Sequence, residues 1–295
     1  MKASQEVSAE LLDNAARFRD AFFQRFSLRR APRPLQLTDA ISKDYLFPTL
    51  YADVRCTIGI FHCDYARAKA LLPPPAMAPV RMPRGRALVA FSCYEYRQVL
   101  GVAPYNEIAM TIPVMVGTRL NVPVLPMVFS SLPGFGYYVF GMPVTSRENQ
   151  LRGNKIWGLP KVTQDIDIEE RDGDCVTVAY GADGRACFEL RVPMSGKPKQ
   201  FDVSANLYSL LEGKLLRSRT SFQGTFRVTP HMKALARRGL RPDRTYLTLG
   251  EGPEAAALRN LDIEPHPFQF RYAPSMNSAF DLPDPAFQLE VDGGK

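Results

Sequence analysis

Lys161 closes the run Trp157-Gly158-Leu159-Pro160-Lys161, and Ile156, Trp157, Leu159 and Val162 surround its amine with apolar bulk. A lysine amine attacks a carbonyl carbon only when unprotonated, and at the ordinary value of about 10.4 almost none is free at neutral pH. Removing the ammonium from water, or setting a second cation beside it, favours the free amine. Such an amine condenses with a ketone to an imine, whose protonated form draws electrons from the adjacent carbon. That sink supports loss of CO2 from a keto acid, or enamine chemistry leading to aldol and dehydration steps. Without its apolar context, a lysine after a turn proline would simply be a surface residue. Glu107 stands just before the apolar run 108–116. It reads either as a buried acid near the lysine or as an exposed charge at a strand edge.

Other chemistries find little support. The three histidines, His62, His231 and His266, form no HExxH and no pair at metal-ligand spacing, so no metal is expected. There is no GxSxG elbow and no GxxxxGK[ST] phosphate loop. Gly250-Glu251-Gly252-Pro253-Glu254-Ala255 spells a dinucleotide-type GxGxxA. No βαβ unit surrounds it, and no acid follows a second strand about 20 residues on. It reads as an ordinary strand-to-helix turn, with Pro253 in the first helical turn and no cofactor. The five cysteines are odd in number and lack a CxxC pair, unlike a secreted disulfide scaffold. No signal-peptide pattern and no run of 18 apolar residues occurs, so a cytoplasmic protein without membrane partners is expected. The net charge of +7 is scattered along the chain without a nucleic-acid-binding motif, which reads as solvated surface.

The elements that must position these residues are mostly strands. The 25 prolines and 20 glycines lie along all 295 residues without period, implying many turns. β-rich runs occur at 54–61, 87–99, 108–116, 127–130 and 137–140. The segments 162–169 and 175–180 alternate around Asp172-Gly173, the pattern of a hairpin. Further strands fit 186–192, 221–228, 246–249 and 268–272, and short helices fit 64–72, 205–211, 230–238 and 253–260. Ahead of these, Leu11, Ala15, Phe18, Phe22 and Phe26 repeat at helical spacing over 7–27. The expected class is α+β, mainly antiparallel β, with a helical extension over 1–45 before one domain at 46–295.

The segment Gly153-Asn154-Lys155-Ile156-Trp157-Gly158-Leu159-Pro160-Lys161 resembles the catalytic G-R-E-x-W-G-x-P-K-K of the acetoacetate decarboxylase family. Residues 91–107 resemble the family's strand-turn-strand ending in Y-x-E, here Tyr105-Asn106-Glu107. The resemblance runs over about 50–280. It implies a cone-like β-barrel with peripheral helices, a homo-oligomer, and a cofactor-free lyase acting on a keto acid or related small carbonyl compound. It assigns the Schiff base to Lys161 and proton handling to Glu107, with Arg55, Trp157 and Ser92 as substrate-binding positions. The chain also departs from the family. Acetoacetate decarboxylase is itself the known example of a lysine activated beside another cation, yet the second lysine of that pair is Val162 here. Ser92 stands where the family has a second carboxylate, and Arg55 lies one position from the register of its carboxylate-binding arginine. These changes point away from acetoacetate itself. They leave room for an aldolase–dehydratase or a non-catalytic binding protein on the same scaffold.

Overall fold

The computed structural model describes residues 17–291, apart from 32, 40, 41, 74–76, 119, 120 and 130. Four two-residue strands come first, β1 (Arg29–Arg30), β2 (Leu35–Gln36), β3 (Ser42–Lys43) and β4 (Leu46–Phe47), paired as β1–β4 and β2–β3. Seven longer strands form a closed barrel: β5 (Thr49–Asp64), β7 (Arg86–Val99), β8 (Tyr105–Val116), β9 (Phe135–Val144), β14 (Lys197–Leu211), β15 (Lys214–Pro230) and β17 (Pro267–Glu290). The order is β9-β14-β15-β17-β5-β7-β8, and β8 pairs back onto β9. Only β9 and β14 run parallel within this ring. β6 (Met77–Pro79) extends β8, and β10 (Lys161–Thr163) adds to β9 in parallel. A second, antiparallel sheet contains β11 (Ile166–Arg171), β12 (Asp174–Tyr180), β13 (Ala186–Pro193) and β16 (Leu247–Leu249).

Alternation along the strands sorts side chains between two cores. On β7, Ala87, Val89, Phe91 and Cys93 point outwards and pack with Phe188, Leu190 and Val192 of the second sheet. Tyr94 and Tyr96 point inwards, where Tyr51 and Val54 of β5, Tyr105 and Ala109 of β8, Phe226 of β15 and Met276 of β17 meet. That second group contains Trp157 and Leu159, so the interior of the barrel is where the segment before Lys161 docks.

Several expectations are corrected. Residues 7–16 of the expected N-terminal helix, with Leu11 and Ala15, lie outside the described residues. Over 17–27 the chain makes the 3-10 turn Phe23–Arg25 instead of a continuous helix. Its phenylalanines nonetheless cover the barrel, with Phe18, Phe22 and Phe23 buried against Leu50, Ala52, Leu100 and Ala279. The segment 205–211 is not helical but the end of β14, which turns through Glu212-Gly213 into β15. Met127 and Val128 of the expected strand 127–130 belong instead to the one-turn helix Leu125–Val128, and Ser130 lies outside the described residues. The Asp172-Gly173 hairpin forms as read, with φ of 51° and 82° at its two turn residues.

Candidate active site

Lys161 is delivered by a helix, a sharp stop and a strand. The helix Arg147–Trp157 is capped at its start by Ser146, whose side chain accepts from the Asn149 N–H. It ends at Gly158, which takes the left-handed conformation at φ 60°. A Cβ at Gly158 would also strike the backbone of Leu210, so this close approach requires glycine. The chain then enters β10, with Lys161 opposite Met142 of β9. Alternation turns Lys161 inwards, 7% exposed, and Val162 outwards, 51% exposed. The lysine stem lies across Gly153 on the helix. A Cβ there would come within 2.7 Å of Cε and 2.9 Å of Cγ. Glycine at this place in the motif is thus a channel for the lysine.

Glu107 sits on the inward face of β8, between Tyr94 on β7 and Val144 on β9. It is 4% exposed, and its Oε2 accepts from Lys161 Nζ at 2.5 Å. The other oxygen faces the Tyr96 hydroxyl at 3.4 Å. Tyr96 anchors an aromatic cluster, with ring centroids 4.6 Å from Tyr51, 4.7 Å from Tyr105 and 5.2 Å from Tyr94. Lys161 Nζ lies 5.8 Å from the Tyr105 ring centroid. Burial raises the phenols of Tyr94, Tyr96 and Tyr105 well above their ordinary value, and the negative charge of Glu107 adds to it. At neutral pH these hydroxyls keep their protons and serve as donors.

The structure thus brings Lys161 and Glu107 together. Ser92 shares the inward face, opposite Ala109 on β8 and Ile58 on β5. Trp157 is 3% exposed, stacked on Phe280 at 5.0 Å and edge-on to Phe47, with its indole N–H donated to the Asp281 carbonyl. Its position is that of a packing residue under the lysine loop. Arg55 does not face this interior. It points outwards from β5 and pairs with Glu95 on β7 and Glu170 on β11, each at 3.2 Å, tying the barrel to the second sheet. The placement follows from alternation, because apolar Val54 and Cys56 on either side take the inward face. Tyr96, Tyr51 and the buried Arg152 also line this region, and sequence reasoning passed over them. The Tyr94-Glu95-Tyr96 alternation on β7 was the available signal for the tyrosines. Among the described residues, no three metal-ligating side chains converge, and no helix is long and apolar enough to cross a membrane.

Residues 32–276 match the family model of acetoacetate decarboxylase (ADC). A comparison with curated proteins gives no match. Among solved structures, acetoacetate decarboxylase from Legionella pneumophila subsp. pneumophila str. Philadelphia 1 is 14% identical, with 96% of this chain and 97% of that one covered and a TM-score of 0.54. The enduracididine biosynthesis enzyme MppR is 13% identical over 83% of this chain and 89% of its own, with a TM-score of 0.56. An acetoacetate decarboxylase-like enzyme from Sphingomonas wittichii RW1 is 16% identical over 86% and 94%, with a TM-score of 0.50. At such identities the likeness is one of fold. The family match is broader evidence, since it spans most of the sequence and includes both the lysine loop and the strand of Glu107: the chain belongs to the acetoacetate decarboxylase family.

Proposed function

We propose that the chain is a cofactor-free lyase that holds a keto acid or related small carbonyl compound as an imine on Lys161. The observation that supports this most is the buried contact of 2.5 Å between Lys161 Nζ and Glu107 Oε2. Two opposite charges removed from water can cancel by moving one proton, which leaves a neutral amine and a neutral acid. The amine then adds to the substrate carbonyl, and Glu107 returns the proton to the departing hydroxyl as water leaves. The protonated imine accepts the electron pair of the bond to the carboxylate, and CO2 departs. The resulting enamine carbon takes a proton, and water hydrolyses the imine to release the ketone and restore the amine. In this reading Tyr96 holds Glu107 in place, and Val162 takes no part because it faces outwards.

An aldolase–dehydratase would share the imine but add the enamine carbon to a second carbonyl. A non-catalytic binding protein would form no imine. A β-keto acid series separates the three: CO2 release marks the decarboxylase, and consumption of added aldehyde marks the aldolase. Covalent capture on borohydride reduction distinguishes both enzymes from the binder. Lys161→Ala should abolish turnover and capture while the chain stays folded. Turnover that survives in Lys161→Ala would overturn the assignment. We place the protein in the cytoplasm as a homo-oligomer, and a gel-filtration elution volume well below that of a 33.0 kDa monomer would support the oligomer.

A further inference from the structure

Among the described residues, two arginines are almost wholly buried, and they differ in what neutralises them. Arg86 is 0% exposed and donates to the Glu264 carboxylate and to the carbonyls of Pro83, Ala234, Leu235 and Arg237. Arg152 is 1% exposed, and its hydrogen-bond partners are the neutral oxygens of Asn149 and Thr49, both at 3.0 Å. Its Nε has no partner. Among the described residues no carboxylate lies within ion-pair distance of it. Glu148, one turn earlier on the helix, is engaged by Lys43 and by the Tyr45 hydroxyl. Two ring faces flank the guanidinium, Tyr45 at 4.3 Å and Trp157 at 5.8 Å. A buried charge without a counter-charge is strongly unfavourable, and folds keep such groups paired.

The position of Arg152 says where the missing charge belongs. Its neighbour Gly153 carries the Lys161 stem. Burial raises the phenols of Tyr51 and Tyr105, the positive charge of Arg152 opposes that rise, and the negative charge of Glu107 adds to it. The same two hydroxyls therefore feel both Arg152 and Glu107, the partner of Lys161. We infer that Arg152 binds the carboxylate of a keto acid whose carbonyl carbon is held by Lys161, and so selects anionic over neutral carbonyl compounds. This rests on the imine reading. A guanidinium suits the task because it stays charged when buried and presents its donors in a fixed plane.

The test compares reductive capture of pyruvate and of methyl pyruvate, which differ in one negative charge. The ketone of the ester is at least as electrophilic, so a preference for the acid comes from the protein. Wild type should reach half-maximal capture of pyruvate at a concentration at least about tenfold below that for the ester, the scale of one charge-assisted hydrogen-bonded pair. Arg152→Gln should lose that preference while still capturing the ester, and Arg152→Lys should keep part of it. Equal capture of both compounds by wild type, or a preference retained in Arg152→Gln, overturns the inference and leaves the imine standing. If circular dichroism shows Arg152→Gln unfolded, the wild-type ratio decides alone. If wild type captures neither compound, the imine reading has failed, and calorimetry with pyruvate decides: heat of binding that survives in Lys161→Ala supports Arg152, and its absence overturns it.

Discussion

Gly153→Ala is the smallest change that separates a lysine packed through the helix from one merely near it. The new methyl carbon would sit 2.7 Å from Lys161 Cε and 2.9 Å from Cγ, against an ordinary carbon–carbon contact of about 3.5–4.0 Å. Relief requires the stem to move by about 1 Å, and a displacement of that size at a reacting group costs on the order of 100-fold in rate. Stability responds less, because two effects oppose each other. Overpacking costs about 1–3 kcal/mol, while alanine gains up to about 1 kcal/mol over glycine in a helix interior. The net expectation is a loss of about 0–2 kcal/mol, read by urea unfolding, with a rate of reductive capture about 100-fold lower. Unchanged capture together with a stability gain near 1 kcal/mol would refute this packing, since it would mean that the helix face at Gly153 is open.

Other expected outcomes follow from the same geometry. Glu107→Gln should lower the capture rate by about 10²–10⁴-fold, the usual worth of a general acid or base, measured under pseudo-first-order conditions. Val162→Lys restores the family's second lysine at an exposed position, so stability should change by no more than about 0.5 kcal/mol and capture should not accelerate, as parallel melts and capture assays can check. Trp157→Ala removes an indole packed between Phe47 and Phe280 and should cost about 3–5 kcal/mol in chemical unfolding. His62 is held down to about 3 from its ordinary 6.5, first by burial and then by the positive charge of Arg86. Its folded value lies below the unfolded one, so it costs nothing above pH 6.5, and the unfolded chain gains protons it cannot match as pH falls towards 3. His62→Leu should therefore flatten the loss of stability between pH 6.5 and 4; an unchanged slope would show that other groups cause it.

What the sequence disclosed was the chemistry that leaves a local mark. Trp157-Gly158-Leu159-Pro160-Lys161 combines a helix stop with a strand start, and Asp172-Gly173 fits the turn its hairpin needs. The helix Arg147–Trp157 escaped because it is polar and carries Gly153 in its interior, although Ser146 and Gly158 are ordinary start and stop residues. The segment 205–211 contains good helix formers, and its pairing along β15 overrides that preference. The outward turn of Arg55 could be read from the parity of β5 once Val54 and Cys56 are taken as inward-facing. Arg152 left no sequence signal, because its isolation from carboxylates exists only after the barrel has closed around it.

The central claim is a covalent bond between Lys161 Nζ and a carbonyl carbon. Borohydride reduction in the presence of pyruvate, followed by proteolysis and peptide mass mapping, tests it directly. The account predicts one stoichiometric adduct, carried by the peptide containing Lys161 and missing from Lys161→Ala. An adduct on Lys155, on Lys43 or spread over surface lysines would contradict it, as would intact protein of unchanged mass across a series of keto acids.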